Sequence, residues 1–265
     1  MISVLTLNIG AAAEPRATRI LDWLADRDDQ VIALSETSTG PGTALLLDRY
    51  TKAGWEVVHT QGASGQRGAA ILSRVAIAGG HRPEFAGVSI PGRAVYTLLD
   101  TRPRIGVLGL YVPNNKTDGS KQEFITTVLA AVRGLPADQR EHLVIAGDYN
   151  VIARTHEPRH PGFAAYEYGL LEELEKVGLV DAHTRIHPRD HPHSWVGRTG
   201  DGYRYDYVHV GAALAGRLTA SAYLHETREG RALTDHSAVA VGLRPDAVRL
   251  LETENPAESG APTLF

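Results

Sequence analysis

The sequence predicts a layered α/β domain, and three observations carry that prediction. Ten short runs of alternating or β-branched apolar residues read as strands, four stretches of helical periodicity lie among them, and several strands follow one another directly. A βαβ repeat would alternate strand and helix throughout, so the pattern points to packed sheets with interspersed helices.

Taken in order, strands are expected at Ile2–Ile9, Val31–Leu34, Trp55–Thr60, Ala69–Leu72, Ala94–Asp100 and Ile105–Tyr111. Others follow at His142–Ala146, Tyr203–Val210, Leu218–Leu224 and Ser237–Leu243. The first helix is expected at Pro15–Ala25, where Ile20, Leu21 and Leu24 share a face and Pro15 suits the first turn. Gly42–Ala53, Ser120–Leu135 and Tyr166–Val177 show the same period, with Phe124, Val128, Leu129 and Val132 as the stripe of the third. His183–His193, rich in His and Pro, reads as a loop. No composition shift divides the chain, so residues 1–244 are expected to form one domain. Residues 245–265, ending ETENPAESGAPTLF, have the composition of a flexible tail.

Composition removes several function classes. With 265 residues the chain can bury a core without staples, and with no Cys it has no disulfides, thiolate zinc site, Fe–S cluster or cysteine nucleophile. No apolar run approaches the roughly 18 residues of a membrane span. The first strand begins at Ile2, which leaves no room for a signal peptide, so a cytoplasmic monomer without membrane partners is expected. Lys occurs at only four positions and Arg at the other 23 basic ones, yet the net charge is −4. Guanidinium forks suit phosphate oxygens, while the negative balance argues against broad, non-specific nucleic-acid affinity.

Polar residues gather where the apolar runs stop. Asn8 follows Val4-Leu5-Thr6-Leu7, and Glu36 follows Ile32-Ala33-Leu34-Ser35. Tyr111 and Asn114 close another strand, Asp148 and Asn150 follow Leu143-Val144-Ile145-Ala146, Asp206 lies in YRYDY and Asp235-His236 precedes SAVAV. Side chains at strand ends can converge on one crevice. Singly, each has a structural explanation as a turn or a cap. Together they offer four carboxylates, amides, a Tyr and a His, a donor set for a hard cation such as Mg²⁺ that shares its coordination with a phosphate.

These residues, as Leu7-Asn8, Ser35-Glu36-Thr37, Tyr111-Val112-Pro113-Asn114, Gly147-Asp148-Tyr149-Asn150, Ser194-Trp195, Tyr203-Arg204-Tyr205-Asp206-Tyr207 and Thr234-Asp235-His236-Ser237, resemble the endonuclease/exonuclease/phosphatase superfamily. They run in the family's order from Ile2 to Leu243 and look most like the exonuclease III and abasic-site (AP) endonuclease branch. The resemblance implies a four-layer α/β sandwich of two mainly antiparallel sheets flanked by helices. It implies that Glu36 is the main metal ligand, with Asn8 and Asp235 nearby, and that the ion is Mg²⁺, with Mn²⁺ as the alternative. Asp148 would orient or deprotonate the attacking water and Asn150 would position it. Tyr111 and Asn114 would contact the scissile phosphate, and His236, held by Asp206, would bond a non-bridging oxygen. Three departures stand out: Thr37-Ser38 replaces the branch's Thr-Lys, Gly10 stands where some abasic-site enzymes carry an Asp, and the stretch between Trp195 and Tyr203 is short.

By the same resemblance the partner is DNA, a duplex with an abasic site or a 3′ end, and Trp195, Tyr203 and Tyr205 line the pocket for an extruded sugar. Strand aromatics also serve as core. Arg67, Arg93, Lys116, Arg154 and Arg204 are candidates for phosphate contacts, with Gly65 and Gly68 letting a loop approach. His183, His187, His191 and His193 could suggest zinc, but they lack a helical i, i+4 frame, so an exposed loop over the site mouth fits better. Two alternatives stay open: a phosphodiesterase or phosphomonoesterase for a small-molecule or lipid phosphate, and a catalytically silent nucleic-acid-binding protein. The full set of polar residues disfavours the second.

Overall fold

Strands that are apolar on both faces need cover on both faces, and this requirement sets the architecture. A computed structural model describes all of the chain except residues 61–64, 80–82, 115–119, 161 and 260–265, so Lys116 lies outside the described residues. In chain order it contains β1 (Ile2–Asn8), α1 (Glu14–Ala25), β2 (Val31–Thr37), α2 (Pro41–Lys52), β3 (Glu56–His59), β4 (Gly68–Ser73), β5 (Ala94–Leu99), β6 (Thr101–Arg102) and β7 (Ile105–Tyr111). There follow α3 (Ser120–Gly134), α4 (Ala137–Glu141), β8 (Leu143–Asp148), α5 (Ala165–Lys176), β9 (Leu179–Asp181), α6 (Ala182–Ile186), β10 (Trp195–Val196) and β11 (Gly202–Tyr203). The chain continues with β12 (Asp206–Gly211), α7 (Ala212–Ala215), β13 (Leu218–Leu224), β14 (Ala238–Leu243) and β15 (Ala247–Val248).

Two sheets dominate, a six-stranded one in the order β13-β14-β1-β2-β4-β3 and a five-stranded one in the order β5-β7-β8-β12-β9. Each is antiparallel except for one central parallel pair, β1–β2 in the first and β7–β8 in the second. Alternation along the strands sorts side chains between faces. In β1, Val4 joins Val107, Val144 and Val208 in the core between the sheets, while Leu5 and Leu7 pack outward with Ile20, Leu21 and Leu24 of α1. In β8, Val144 and Ala146 point inward, and Leu143 and Ile145 meet Phe124, Val128 and Leu170 of α3 and α5. The result is helix, sheet, sheet, helix: the expected four-layer sandwich.

Two expectations are corrected. The run Tyr203–Val210 is not one strand: Gly202–Tyr203 pairs with Trp195–Val196, and a new strand starts at Asp206. The switch is held by Ser194, whose Oγ accepts from the backbone N–H groups of both Tyr205 (2.9 Å) and Asp206 (3.0 Å). Residues 245–259, expected as a loose tail, lie along the domain. Ala247–Val248 pairs with Thr101–Arg102, Leu251 N–H donates to Arg74 O (2.8 Å) and Ser259 Oγ donates to Arg49 O (2.8 Å). Unpaired backbone groups at the edges of neighbouring segments supply partners that composition does not reveal.

Buried His209 on β12 gives the fold a pH signature. Its Nδ1 meets the Tyr149 hydroxyl at 3.2 Å, and burial, outweighing the attraction of Asp181, lowers its pKa to about 4. A neutral buried His contributes stability above its unfolded pKa, and that contribution is lost as pH falls from 6.5 towards 4, by up to about 3 kcal/mol. Urea unfolding at pH 7.5 and 4.5 should therefore show a smaller acid loss in His209→Gln than in the unmodified protein. Equal losses would contradict the assignment.

Candidate active site

The two central parallel pairs place the polar residues. Their C-terminal ends lie at the same edge of the sandwich, where strand-end side chains face a common crevice. The register sets Asn8 opposite Ser35 in the first pair and Tyr111 opposite Asp148 in the second. Asp206, opening β12, pairs with Asp148, and His236 lies just before β14, the antiparallel neighbour of β1. Glu36 sits at a bulge between Ser35 and Thr37 with φ +53°, a left-handed kink that breaks the strand's alternation and re-aims the carboxylate. Asn150 has φ +48°, a conformation asparagine tolerates, and its side chain folds back over Asp148.

Hydrogen bonds join these groups into one network. Asn8 Nδ2 donates to Glu36 Oε1 (3.1 Å) and Asp148 Oδ2 (2.9 Å), while its Oδ1 accepts from Gly10 N–H (2.8 Å). Asn8 thus turns its amide nitrogen to the carboxylates and orients them. Asp148 Oδ1 accepts from Asn150 N–H (2.9 Å), its Oδ2 accepts from Asn150 Nδ2 (3.1 Å), and that same Nδ2 also donates to Val112 O (2.9 Å). His236 Nδ1 lies 2.7 Å from Asp206 Oδ2. Trp195 Nε1 donates to Asp235 Oδ2 at 3.0 Å, tying an expected substrate residue to an expected metal residue.

The electrostatics follow from burial. Desolvation opposes a charge on His236, but the Asp206 carboxylate against it prevails and raises the imidazole well above its usual range, so it is protonated at neutral pH. Burial raises Asp148, and the nearby Asp206 charge adds to the effect. The Tyr111 hydroxyl is raised by burial and by Glu36 and Asp148, so it stays a donor, with the Arg93 guanidinium 4.6 Å from its ring centroid.

The donor set fits a hard divalent cation. Among the described residues, Asp148, Asp206 and His236 are the group of His and carboxylate ligand atoms lying within 4.8 Å of one another. Asp206 Oδ1 is buried with no hydrogen-bond partner. His236 already bonds Asp206 through Nδ1 and carries a proton, so it suits an anion better than a metal. Glu36 and Asp235, less buried than Asp148 and Asp206, remain as carboxylates on the outer side of the cluster. Oxygen donors without thiolates suit a hard divalent cation rather than a soft one.

The remaining candidates divide. Trp195, Tyr203 and Tyr205 come together, with Tyr203 and Tyr205 stacked at 5.7 Å and Trp195 at 6.3 and 5.8 Å from them. His156 stacks on Tyr203 at 5.7 Å, and Phe163 packs against this group; the sequence reading missed both. Arg67 is half-buried and Asn114 exposed. Arg204 is not a phosphate contact, because it is buried against Asp181 (2.7 Å) and Tyr223 (2.5 Å) behind β12. Arg154 pairs with Glu172. The histidine segment divides: His183 lies in α6, buried against Ser221 and Tyr223, and His187 bonds Ser221 O (2.9 Å), while residues 187–193 form a loop. His191 and His193 line a cavity of about 890 Å³ bounded by Tyr168, Tyr207 and Arg204, which contains none of the crevice residues.

Residues 5–236 match the profile of the endonuclease/exonuclease/phosphatase family. The chain belongs to that family. It thereby joins a family of phosphoester hydrolases, and the strand-end polar residues are the part of the sequence through which the resemblance was legible. Solved structures share its fold. The 3′ phosphatase NExo from Neisseria, bound to a product DNA hairpin, superposes with a TM-score of 0.73 at 21% identity, covering 92% of this chain and 100% of that one. An AP endonuclease from Archaeoglobus fulgidus gives 0.72 at 18% identity (92% and 99%), and the AP endonuclease LMAP from Leishmania major gives 0.69 at 18% (92% and 87%). No curated protein is similar enough in sequence to match. Among the described residues no helix is long and apolar enough to cross a membrane.

Proposed function

We propose that the chain is a divalent-metal-dependent DNA nuclease of the AP endonuclease and 3′-exonuclease type, working with Mg²⁺ or Mn²⁺ as a cytoplasmic monomer. The observation that carries this reading is the pairing, at one strand-end crevice, of a buried carboxylate held by amides with an imidazolium held by a second carboxylate. Solved structures of the same fold, with AP endonuclease and 3′ phosphatase in their names, support the choice of DNA.

A phosphodiester is already anionic, so its hydrolysis needs donors aimed at the oxygens that gain charge and a base for the water. Glu36 and Asp235 would hold the metal, with Asn8 keeping Glu36 turned towards it. When bound, the cation draws charge from the phosphate oxygens and eases deprotonation of water. Asp148 takes the water's proton: burial and Asp206 hold its proton affinity above that of an exposed carboxylate, which suits a base working near neutrality. Asn150 keeps that carboxylate turned. His236 donates to a non-bridging oxygen, and Asp206 keeps the imidazolium protonated and its ring oriented. Tyr111 supplies a further donor, and Asn114 and Arg67 contact flanking phosphates. Trp195, Tyr203 and Tyr205 receive the sugar, because a base-less nucleotide is extruded at little cost and leaves room for an aromatic wall.

One labelled duplex with a central abasic analogue and one undamaged duplex, each incubated with Mg²⁺ with and without EDTA, test this reading. Incision at the lesion or shortening from the 3′ end, abolished by EDTA, is the expected result. Phosphate release from small esters with both duplexes intact would move the chain to the phosphatase side of the family.

A further inference from the structure

We infer that Lys121 and Glu167 form a positioning pair for this site, fixing the backbone of Asn150 so that its side chain holds Asp148; the inference rests on the role proposed for Asn150. Lys121 is in the first turn of α3 and Glu167 in the first turn of α5, and both are almost fully buried, with side chains 1% and 0% exposed. Lys121 Nζ donates to Glu167 Oε1 (2.6 Å) and to the backbone carbonyl of Asn150 (2.7 Å). Glu167 is fixed in turn, because its Oε2 accepts from Ala164 N–H (2.7 Å) at the start of α5.

Stability alone does not account for such a pair. Each ion loses its hydration on burial, and packed apolar residues of similar size serve a core as well or better. Direction is what the ammonium adds. Asn150 is a non-glycine residue in the left-handed region, and its N–H and side-chain Nδ2 both bond Asp148. A charged donor on its carbonyl pins the peptide plane that follows, so the residue cannot relax to an ordinary φ and swing its amide off the carboxylate. A methyl or thioether in the same space would fill it and leave the carbonyl unheld.

The test combines Lys121→Met/Glu167→Met, Lys121→Arg and Asn150→Ala, read by the Asn150 side-chain amide resonances in ¹⁵N spectra and by kcat and KM on the abasic duplex. The double Met variant leaves no lone buried charge, and Lys121→Arg keeps a donor should the neutral pair not fold. Expected are a shifted Asn150 amide, a kcat about 10- to 100-fold lower at unchanged KM, recovery in Lys121→Arg, and no further loss of kcat when the Met pair is added to Asn150→Ala. An unmoved amide with unchanged kcat would overturn the inference, as would a full multiplicative loss in the Asn150→Ala background. Normal turnover by Asn150→Ala would overturn the role of Asn150 and the inference with it. A duplex left uncut by the unmodified protein would overturn the DNA reading alone, since the amide resonance still decides the positioning.

Discussion

Asp148→Asn should lower turnover by about 10²–10⁴-fold, the range expected for removing a general base, while the protein stays folded. The two side chains have the same shape, and the change removes one charge from a crowded group of carboxylates in which Asp206 lies directly across the ladder. With its oxygen in the place of Oδ2, the new amide still accepts from Asn8 Nδ2 and Asn150 Nδ2, and only the bond from Asn150 N–H is lost. Thermal midpoint and turnover should thus part company: the midpoint holds or rises, and activity collapses. His236→Ala should lose activity on a similar scale for a different reason, because it deletes the cationic donor and leaves the Asp206 carboxylate buried without its partner. Near-full activity with Mg²⁺ in either variant would show that the site has been assigned to the wrong residues.

Gly147→Ala, one residue before Asp148 in β8, should be severely destabilising. A Cβ at Gly147 would stand 1.8 Å from Leu110 O and 2.7 Å from Leu110 C. Both are backbone atoms of β7, paired with β8 in the central parallel ladder, and neither can move without opening it. A loss above about 4 kcal/mol is expected, the scale reached only by steric conflict or an unpaired group in a core. Urea titration followed by circular dichroism should find the variant largely unfolded without denaturant. A midpoint close to that of the unmodified protein would mean the two strands do not meet as described.

The site was legible in the sequence wherever a polar residue interrupts an apolar run at a strand end. Asn8, Glu36, Asp148 and Asp206 stand out because both faces of their strands are committed to packing, so a carboxylate there has no ordinary place to go. Arg204 was not legible, because residues 204 and 205 lie in the switch between β11 and β12, and the ion pair with Asp181 that buries it comes from tertiary packing. Lys121 and Glu167 were hidden, since a charge in the first turn of a helix has the look of a solvated face until the tertiary packing is known. His156 and Phe163 were hidden for a related reason, because loop residues follow no period that could place them against Tyr203. The segment 245–259 misled through composition: its strand pairing and several of its other bonds are made by main-chain groups, which every sequence possesses.

The placement of β1 between β2 and β14 has a consequence during synthesis. Asn8 and Glu36 emerge early, but the strand that flanks β1 on its other side, and His236 just before it, come close to the end of the chain. Asp148 and Asp206 arrive in between, on the other sheet. A nascent or prematurely terminated chain therefore holds carboxylates without their imidazolium and a first strand with one open edge. On the proposed reading the site is complete only once β14 pairs with β1, because His236 reaches the crevice with that strand.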